Sequence, residues 1–424
     1  MRTPYHGNSD IMEKNIKKYN LQEKAGHDPL SNGRRLFLKK TSTALGMALF
    51  PGSVMAKQSE PVLHLGYLPI TDAAPLLIAH ALGYFRDQGI NAPRPVMVRS
   101  WRVLVESFFA GKFNFTHMLF PIPVWMRFKQ KFPVKVLAWD HTNGSAVTVQ
   151  GNSDIRGFAD LGGKKIAVPS WYSTHNLIMQ MGLKSTGLTP VIKPQGHPLK
   201  SHEVKLFVMS PSEMAPALAG KKMDGFIVAE PFNALAELKL KARIMRFTGD
   251  IWKNHPCCVL VCHEKLPEHN PAFVQKVVNA VVRAQLWCDA NREKAAHILS
   301  RDGAGYLPES SDVLKRVFTV YNINKYTAGP LPRPVMHPQW HIERIGFQPY
   351  PFHSATKFII RQMAETLVEG DASFLKPLDP AKAAAELVDE RFVIKAMDND
   401  RAYGAFPVSD IEKPLSREEI IEID

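Results

Sequence analysis

The sequence predicts an α/β protein made of two lobes that can close on each other like a hinge. From residue 62 onward, short apolar runs alternate with apolar residues at helical spacing. The chain has 424 residues, of which 45% are hydrophobic and 22% charged, so it can bury a core in two domains. A glycine-rich break at residues 162–165 separates a middle segment from the halves on either side of it.

The first half of the chain alternates predicted strands with predicted helices. Strands are expected at residues 63–68, 96–98, 115–119, 134–139 and 146–149. Helices are expected at residues 74–85, 103–110 and 121–128. Asp72 lies just before the first helix, and its side chain is expected to cap the helix N-terminus.

The middle segment continues the same alternation after the glycine-rich break. Strands are expected at residues 166–168, 204–208, 225–228 and 242–247. Helices are expected at residues 175–183 and 210–219. Ser173 or Thr174 is a suitable cap for the first of these helices, and Ser210 for the second.

The last part of the chain is expected to return to the first half. A strand at residues 259–262 precedes a long helix over residues 271–299, and helices with proline-rich loops follow residue 303. Two chain crossings then join the lobes, which suits closure around a small ligand. The predicted division assigns residues 57–160 and 256–345 to lobe 1, residues 161–255 to lobe 2, and residues 346–424 to a C-terminal helical extension packed on lobe 1.

Residues 1–56 have the features of a twin-arginine signal peptide with a long polar leader. An apolar run over residues 41–56 ends at Val54-Met55-Ala56, so cleavage is expected after Ala56. No cysteine ends this run, and no lipid anchor is expected; a basic amphipathic helix is the competing interpretation. We therefore predict export to the periplasm by the twin-arginine translocase as a soluble protein. The residues of the export motif are Arg34, Arg35, Phe37, Leu38 and Lys39.

The charge pattern argues against a nucleic-acid partner. The formal net charge is +13, but residues 1–56 hold nine Lys and Arg against four Asp and Glu. No Lys/Arg block with interleaved aromatic residues stands out in the rest of the chain. No later run approaches the ~20 apolar residues that a membrane-spanning helix requires.

The four cysteines are Cys257, Cys258, Cys262 and Cys288. In an oxidising compartment any of them could pair, and the connectivity cannot be derived from their spacing. That spacing matches no zinc motif, so the sequence predicts no metal site and no cofactor. It favours small apolar residues in a buried strand and helix.

A series of short motifs follows a fixed order along the chain. It begins at residues 68–76 and Leu82-Gly83-Tyr84-Phe85, runs to about residue 300, and continues more loosely to about residue 390. The other motifs are Ser100-Trp101, His117-Met118-Leu119 with Pro121-Ile122-Pro123, Thr142-Asn143-Gly144, Thr174-His175, Asp224-Gly225-Phe226 with Glu230-Pro231, Trp252-Lys253-Asn254-His255-Pro256, and Ala284-Gln285 with Trp287-Cys288-Asp289. In this order the motifs resemble one family of periplasmic solute-binding proteins of ABC importers, the nitrate/bicarbonate/sulfonate family with its nitrate- and taurine-type members.

This resemblance implies a fold, a function and partners. The implied fold is the type II periplasmic binding protein, with two α/β lobes and the ligand cleft between them. The implied function is capture of a small-molecule solute and its delivery to an ABC permease and ATPase, without catalysis.

The resemblance also implies which residues bind the solute. Trp101 matches the family's pocket tryptophan and His175 its pocket histidine; a core tryptophan and a helix-capping histidine are the alternatives. The indole N–H, and a ring N–H near the positive end of a helix, are suitable donors for an oxyanion. The candidate ligand-binding residues are Trp101, Ser145, His175, Thr71, Asp72, His117, Ala229, Glu230 and Cys258.

Several positions depart from the family pattern. Ser145 replaces a glutamine, Ala229 a glycine, Cys257 a glutamate and Cys258 a lysine. A buried anion without a nearby positive charge is costly, so the loss of the lysine disfavours nitrate itself. A neutral, larger or cationic solute is expected instead, with an organic sulfonate, a pyrimidine-like thiamine precursor and an amide as candidates.

Two other functions share this fold. One is an enzyme that resembles the thiamine pyrimidine synthases, whose cysteine cluster is similar to the cysteines here with His255 and His263. The other is a nitrate-type sensor protein in the cytoplasm. The predicted export signal favours transport over both.

Overall fold

Two β-sheets organise the fold in the computed structural model, which describes residues 60–319, 323–328, 333–340, 343–399, 406, 417 and 419–423. Three early strands of the first sheet are parallel, and a strand from late in the chain pairs antiparallel with two early ones. In spatial order, its strands are Val96–Met97, Leu65–Tyr67, Phe115–Leu119, Cys258–His263 and Val134–Trp139.

The second sheet is formed by the middle of the chain. Ser145–Val149 runs antiparallel to both of its neighbours, while the remaining pairs are parallel. In spatial order, its strands are Arg243–Phe247, Ser145–Val149, Gly225–Ala229, Lys165–Val168, Glu203–Val208 and Thr189–Val191.

The chain enters the second sheet earlier than residue 161. Ser145–Val149 pairs with Gly225–Ala229 and Arg243–Phe247, although it falls within the range assigned above to lobe 1. Alternating apolar residues predict a strand without showing which sheet it joins, because pairing is decided by distant segments. The residue limits of the lobes remain a prediction.

Helices pack against both sheets. The longest, Pro271–Ala290, packs against Ala74–Ala81 and Arg391–Asn399. Among the described residues, no helix is long and apolar enough to cross a membrane. The helices are Ala74–Ala81, Tyr84–Asp87, Trp101–Phe109, Pro121–Phe128, Thr174–Ser185, Pro211–Ala219, Phe232–Lys239, Lys265–His269, Pro271–Ala290, Arg292–Leu299, Ser311–Phe318, Ile323–Thr327, His353–Glu365, Pro380–Leu387 and Arg391–Asn399.

Two predicted helices are each divided in two. Gly83 separates Ala74–Ala81 from Tyr84–Asp87 because its φ of 75° is left-handed. Asn291 ends Pro271–Ala290, and its side-chain amide donates to the Trp287 carbonyl at 3.1 Å. A local side-chain bond of this kind competes with helical hydrogen bonding.

The predicted caps have mixed outcomes. Ser173 caps Thr174–Ser185, since its Oγ accepts from the Asn176 N–H at 3.1 Å. Ser210 occupies the predicted N-cap position of Pro211–Ala219, but its hydroxyl makes no cap hydrogen bond. The expected cap at Asp72 is wrong: this residue lies in a 3-10 turn, where its carboxylate contacts a buried histidine.

The C-terminal helices contact elements of both sheets. Pro380–Leu387 and Arg391–Asn399 pack against the first-sheet strand Val134–Trp139. His353–Glu365 also contacts the second-sheet helix Thr174–Ser185.

Candidate functional site

Two short segments carry the chain between the sheets and lie side by side. The outgoing segment covers residues 140–144, and the returning segment covers residues 248–257. Thr142 forms an antiparallel bridge with Pro256, and the Asn143 N–H donates to the His255 carbonyl at 2.9 Å. The candidate site is built on these two crossing segments.

Four fully buried residues form what we call the crossover cluster: Asp72, His141, Cys257 and Cys258. His141 Nε2 lies 2.9 Å from Asp72 Oδ2, and the Cys257 thiol donates to the same oxygen at 3.3 Å. One potential ligating atom from each residue lies within 4.8 Å of all the others. Three separate segments are thus brought to one point.

The crossover cluster has perturbed acid–base properties. Burial raises the pKa of Asp72 to about 6, although His141 opposes the rise. Burial alone would lower the pKa of His141, but the Asp72 carboxylate reverses this and holds it well above its usual value. Burial opposes ionisation of Cys257, yet hydrogen bonding from Cys258 and the charges of nearby histidines bring its pKa well below normal. The histidine and carboxylate therefore form a buried ion pair.

Asp140 adds another carboxylate beside the cluster. It is fully buried, and burial together with the charge of Asp72 raises its pKa well above the usual value. Neither of its oxygens has a hydrogen-bond partner among the described residues.

A second group of polar residues adjoins the cluster. Ser145 Oγ lies 2.9 Å from His175 Nε2 and 3.9 Å from Cys257 Sγ. Ser145 begins a second-sheet strand opposite Ala229, and His175 lies in the first turn of Thr174–Ser185. The structure therefore brings two predicted site residues, Ser145 and His175, to the crossover cluster.

Trp101 and His117 contact each other. Trp101 is the first residue of the helix Trp101–Phe109, and its ring centre lies 5.5 Å from that of His117. His117 Nε2 accepts from the Leu68 N–H at 3.0 Å, and burial lowers the pKa of His117 to about 3. This histidine is therefore neutral.

Several buried polar atoms of these residues have no hydrogen-bond partner among the described residues. Leaving such a group unsatisfied costs about 1–3 kcal/mol. A bound ligand could satisfy several of them at once. The atoms are Asp72 Oδ1, Trp101 Nε1, His117 Nδ1, Thr174 Oγ1 and His175 Nδ1.

Thr71 and Glu230 form protein contacts instead. The Thr71 hydroxyl donates to the Glu230 carbonyl at 3.1 Å. The Glu230 carboxylate accepts from Arg344 Nε at 2.6 Å and from the Ala234 N–H at 3.0 Å. Both side chains of the Glu230–Arg344 pair are fully buried, so Glu230 balances an internal charge.

The predicted site residues did not include Asp140, His141, Cys257 or Arg344. His141 directly precedes Thr142-Asn143-Gly144, and Cys257 is adjacent to Cys258. These neighbours were available signals, but the approach of Asp72 to both depends on the fold. The predicted export residues Arg34, Arg35, Phe37, Leu38 and Lys39, and the cleavage residue Ala56, lie outside the described residues.

Comparisons with known proteins agree with this architecture. The nitrate/nitrite binding protein NrtA of Nostoc sp. is 29% identical over 274 residues, which span 59% of this chain and only 60% of that protein. The nitrate import ATP-binding protein NrtC of Synechocystis sp. is 25% identical over 248 residues, 55% of this chain and 36% of that protein. The crystal structure of the periplasmic nitrate-binding protein NrtA from Synechocystis PCC 6803 superposes with a TM-score of 0.67 at 19% identity, covering 85% of this chain and 93% of that one.

These findings confirm the predicted relationship and fold class. The fold is that of the periplasmic binding proteins, an α/β architecture with two lobes. The sequence profile of the NMT1-like family matches residues 56–300. Because this match covers more than half of the chain, the protein belongs to the NMT1-like family.

Proposed function

We propose that this protein is the periplasmic solute-binding component of an ABC importer. It would hold a small solute between its lobes and deliver it to a permease with its ATPase. The observation that carries this proposal is the set of buried polar atoms on Trp101, His117, Thr174 and His175 that have no hydrogen-bond partner among the described residues. The relation to nitrate-binding NrtA proteins supports the same role.

The chemistry of the site favours a polar organic solute over nitrate. Trp101 Nε1 is a donor only, whereas the unpartnered oxygens of Asp72 and Asp140 are acceptors when ionised. The charge of Arg344 is already balanced by Glu230 at 2.6 Å and Glu237 at 3.2 Å. A small monoanion would therefore meet the buried Asp72 carboxylate, while His141 and Arg344 already pair with carboxylates of the protein.

A thermal-shift screen of the purified chain tests this solute class. The probes are nitrate, nitrite, bicarbonate, an alkanesulfonate, a pyrimidine precursor of thiamine and a primary amide. A ligand at 100 times its Kd adds about 2.7 kcal/mol to the free energy of unfolding. We expect an organic probe to raise the melting temperature and nitrate not to. A clear shift with nitrate would contradict the proposed solute class.

A tryptophan variant tests the position of the site. Trp101→Phe keeps an aromatic ring but removes the unpartnered indole N–H, and should weaken binding of the identified ligand by about tenfold. Trp125→Phe is the matched control, because Trp125 stacks on Tyr172 with ring centres 5.8 Å apart and its indole nitrogen is not one of the buried atoms without a partner among the described residues. Equal affinities for the two variants, measured by calorimetry, would show that the ligand binds elsewhere.

Export by the twin-arginine route is part of the same proposal. The motif at Arg34 and Arg35 supports it. Cell fractionation should find the protein in the periplasm, and the double variant Arg34→Lys, Arg35→Lys should stay in the cytoplasm. Normal export of the double variant would argue for another route.

A further inference from the structure

We propose that the crossover cluster of Asp72, His141, Cys257 and Cys258 binds a transition-metal ion, for which Zn²⁺ is the best match. This inference goes beyond the solute-binding proposal and does not depend on it. The sequence predicted no metal site, because the spacing of the cysteines matches no zinc motif. That spacing does not show which other residues the fold brings close to the cysteines.

The spacing of the four side chains suits one ion. Ligands that lie about 2.0–2.3 Å from Zn²⁺ at tetrahedral angles are about 3.3–3.8 Å from one another. The Cys257 Sγ to Asp72 Oδ2 distance is 3.3 Å, and the His141 Nε2 to Asp72 Oδ2 distance is 2.9 Å. All four donor atoms lie within 4.8 Å of one another, so small side-chain adjustments would bring them to these separations.

The backbone holds these donors in place. Cys258 pairs with Leu119 inside the first sheet, and the bridge between Thr142 and Pro256 ties the two crossing segments together. A Cβ added to Gly144 would lie 3.0 Å from the His141 ring, so this imidazole packs closely against the backbone. The site is therefore largely formed before an ion binds.

Charge and burial provide an independent argument. Asp72 Oδ1 and both oxygens of Asp140 are buried without hydrogen-bond partners among the described residues. Arg344 supplies no free positive charge to these oxygens, because it is already shared by the carboxylates of Glu230 and Glu237. A divalent cation would supply positive charge to a group of buried oxygen and sulfur donors.

The donor set selects the class of metal. Two thiolates, one imidazole and one carboxylate are ligands that Zn²⁺ accepts in tetrahedral sites. Mg²⁺ and Ca²⁺ prefer oxygen ligands and would not use the two sulfur atoms. Co²⁺ adopts the same geometry as Zn²⁺ and reports thiolate ligation through its absorption spectrum, so it is the probe of choice.

The test is a Co²⁺ titration of the full chain after reduction and removal of metal with a chelator, with free thiols counted beforehand. We expect one equivalent of Co²⁺ to produce a sulfur-to-cobalt charge-transfer band and visible bands of tetrahedral intensity. One equivalent of Zn²⁺ should then abolish these bands. Absence of the charge-transfer band in the reduced wild-type protein would overturn the proposal.

Cysteine variants assign the ligands. Cys257→Ala and Cys258→Ala should each reduce the charge-transfer band by roughly half and weaken metal affinity by at least about 100-fold. Cys262→Ala is the matched control, because Cys262 is a buried cysteine on the strand Cys258–His263 and is not part of the cluster. It should leave the band and the affinity unchanged.

Circular dichroism shows whether each variant is folded. If an alanine variant fails to fold, His141→Gln in the reduced protein removes the imidazole ligand while both thiols remain. It should retain the charge-transfer band but lose affinity. If each of the three single variants, Cys257→Ala, Cys258→Ala and His141→Gln, binds Co²⁺ with wild-type affinity, the metal binds at another site.

Discussion

At the scale of single residues, the residues expected to bind the solute fall into two sets. Ser145, His175 and Trp101 present polar atoms around the crossing segments. Trp101 Nε1 and His175 Nδ1 have no hydrogen-bond partner within the part of the chain that the structure describes. Glu230 and Thr71 instead bond within the protein. Asp72 was expected to cap a helix, but it meets a buried histidine, whose charge offsets only part of the cost of burying the carboxylate.

The buried ion pair between Glu230 and Arg344 gives a prediction for stability. Glu230→Gln keeps the side-chain shape but removes one of the two carboxylates paired with Arg344, and Glu237 remains at 3.2 Å. Removing one partner of a buried pair costs about 3–5 kcal/mol, and we expect the lower end because Glu237 compensates in part. Denaturant unfolding measures the change.

Glu106→Gln provides the comparison for this experiment. Glu106 pairs with Arg102 at 3.1 Å on an exposed helix surface, where such pairs contribute about 0–1 kcal/mol. A Glu230→Gln variant no less stable than Glu106→Gln would mean that the buried pair does not stabilise the fold.

At the scale of secondary-structure elements, the crossing segments matter most for the candidate site. They bridge each other at Thr142 and Pro256, and they deliver His141 from one direction and Cys257 from the other. Local patterns predict the flanking strand Val134–Trp139 to the residue and the other flanking strands to within one residue at each end. They do not predict that the segments lie together, because this contact joins residues more than a hundred positions apart.

Gly144 offers a test of the outgoing segment. Its φ is 76°, a left-handed conformation that costs a residue with a Cβ about 1–2 kcal/mol. Gly144→Ala would also place the new methyl group 3.0 Å from the His141 ring, so it should destabilise the protein by more than that amount and weaken Co²⁺ binding.

The control for this prediction is Gly163→Ala. Gly163 has nearly the same φ, 75°, but a Cβ there would meet nothing within 4 Å among the described residues. The difference between the two variants therefore isolates the contact with His141. Equal losses of stability and unchanged Co²⁺ affinity in both would show that this contact has no role.

At the scale of the whole molecule, two sheets connected by two short crossing segments are suited to hinge closure. The buried polar atoms that lack partners lie where the elements of both sheets approach one another, as the Ser145–His175–Cys257 contacts show. A ligand that bonds to both sides would favour the closed arrangement.

Small-angle scattering tests this closure. With a ligand found in the thermal-shift screen, we expect the radius of gyration of the chain to fall on saturation, because the lobes rotate together around the crossing segments. The Trp101→Phe variant at the same ligand concentration should show a smaller change. An unchanged radius in the wild-type protein under conditions where calorimetry shows full binding would rule out hinge closure.

The sequence by itself determined the α/β class, the order of most strands and helices, and the relationship to solute-binding proteins. These properties follow from local apolar periodicity and from motifs of neighbouring residues such as Thr142-Asn143-Gly144. Only the tertiary structure decided that Ser145–Val149 joins the second sheet, that Arg344 neutralises Glu230, and that Asp72 meets His141 and Cys257. The physical reason is distance along the chain: strand pairing and buried charge contacts join segments that no local pattern relates.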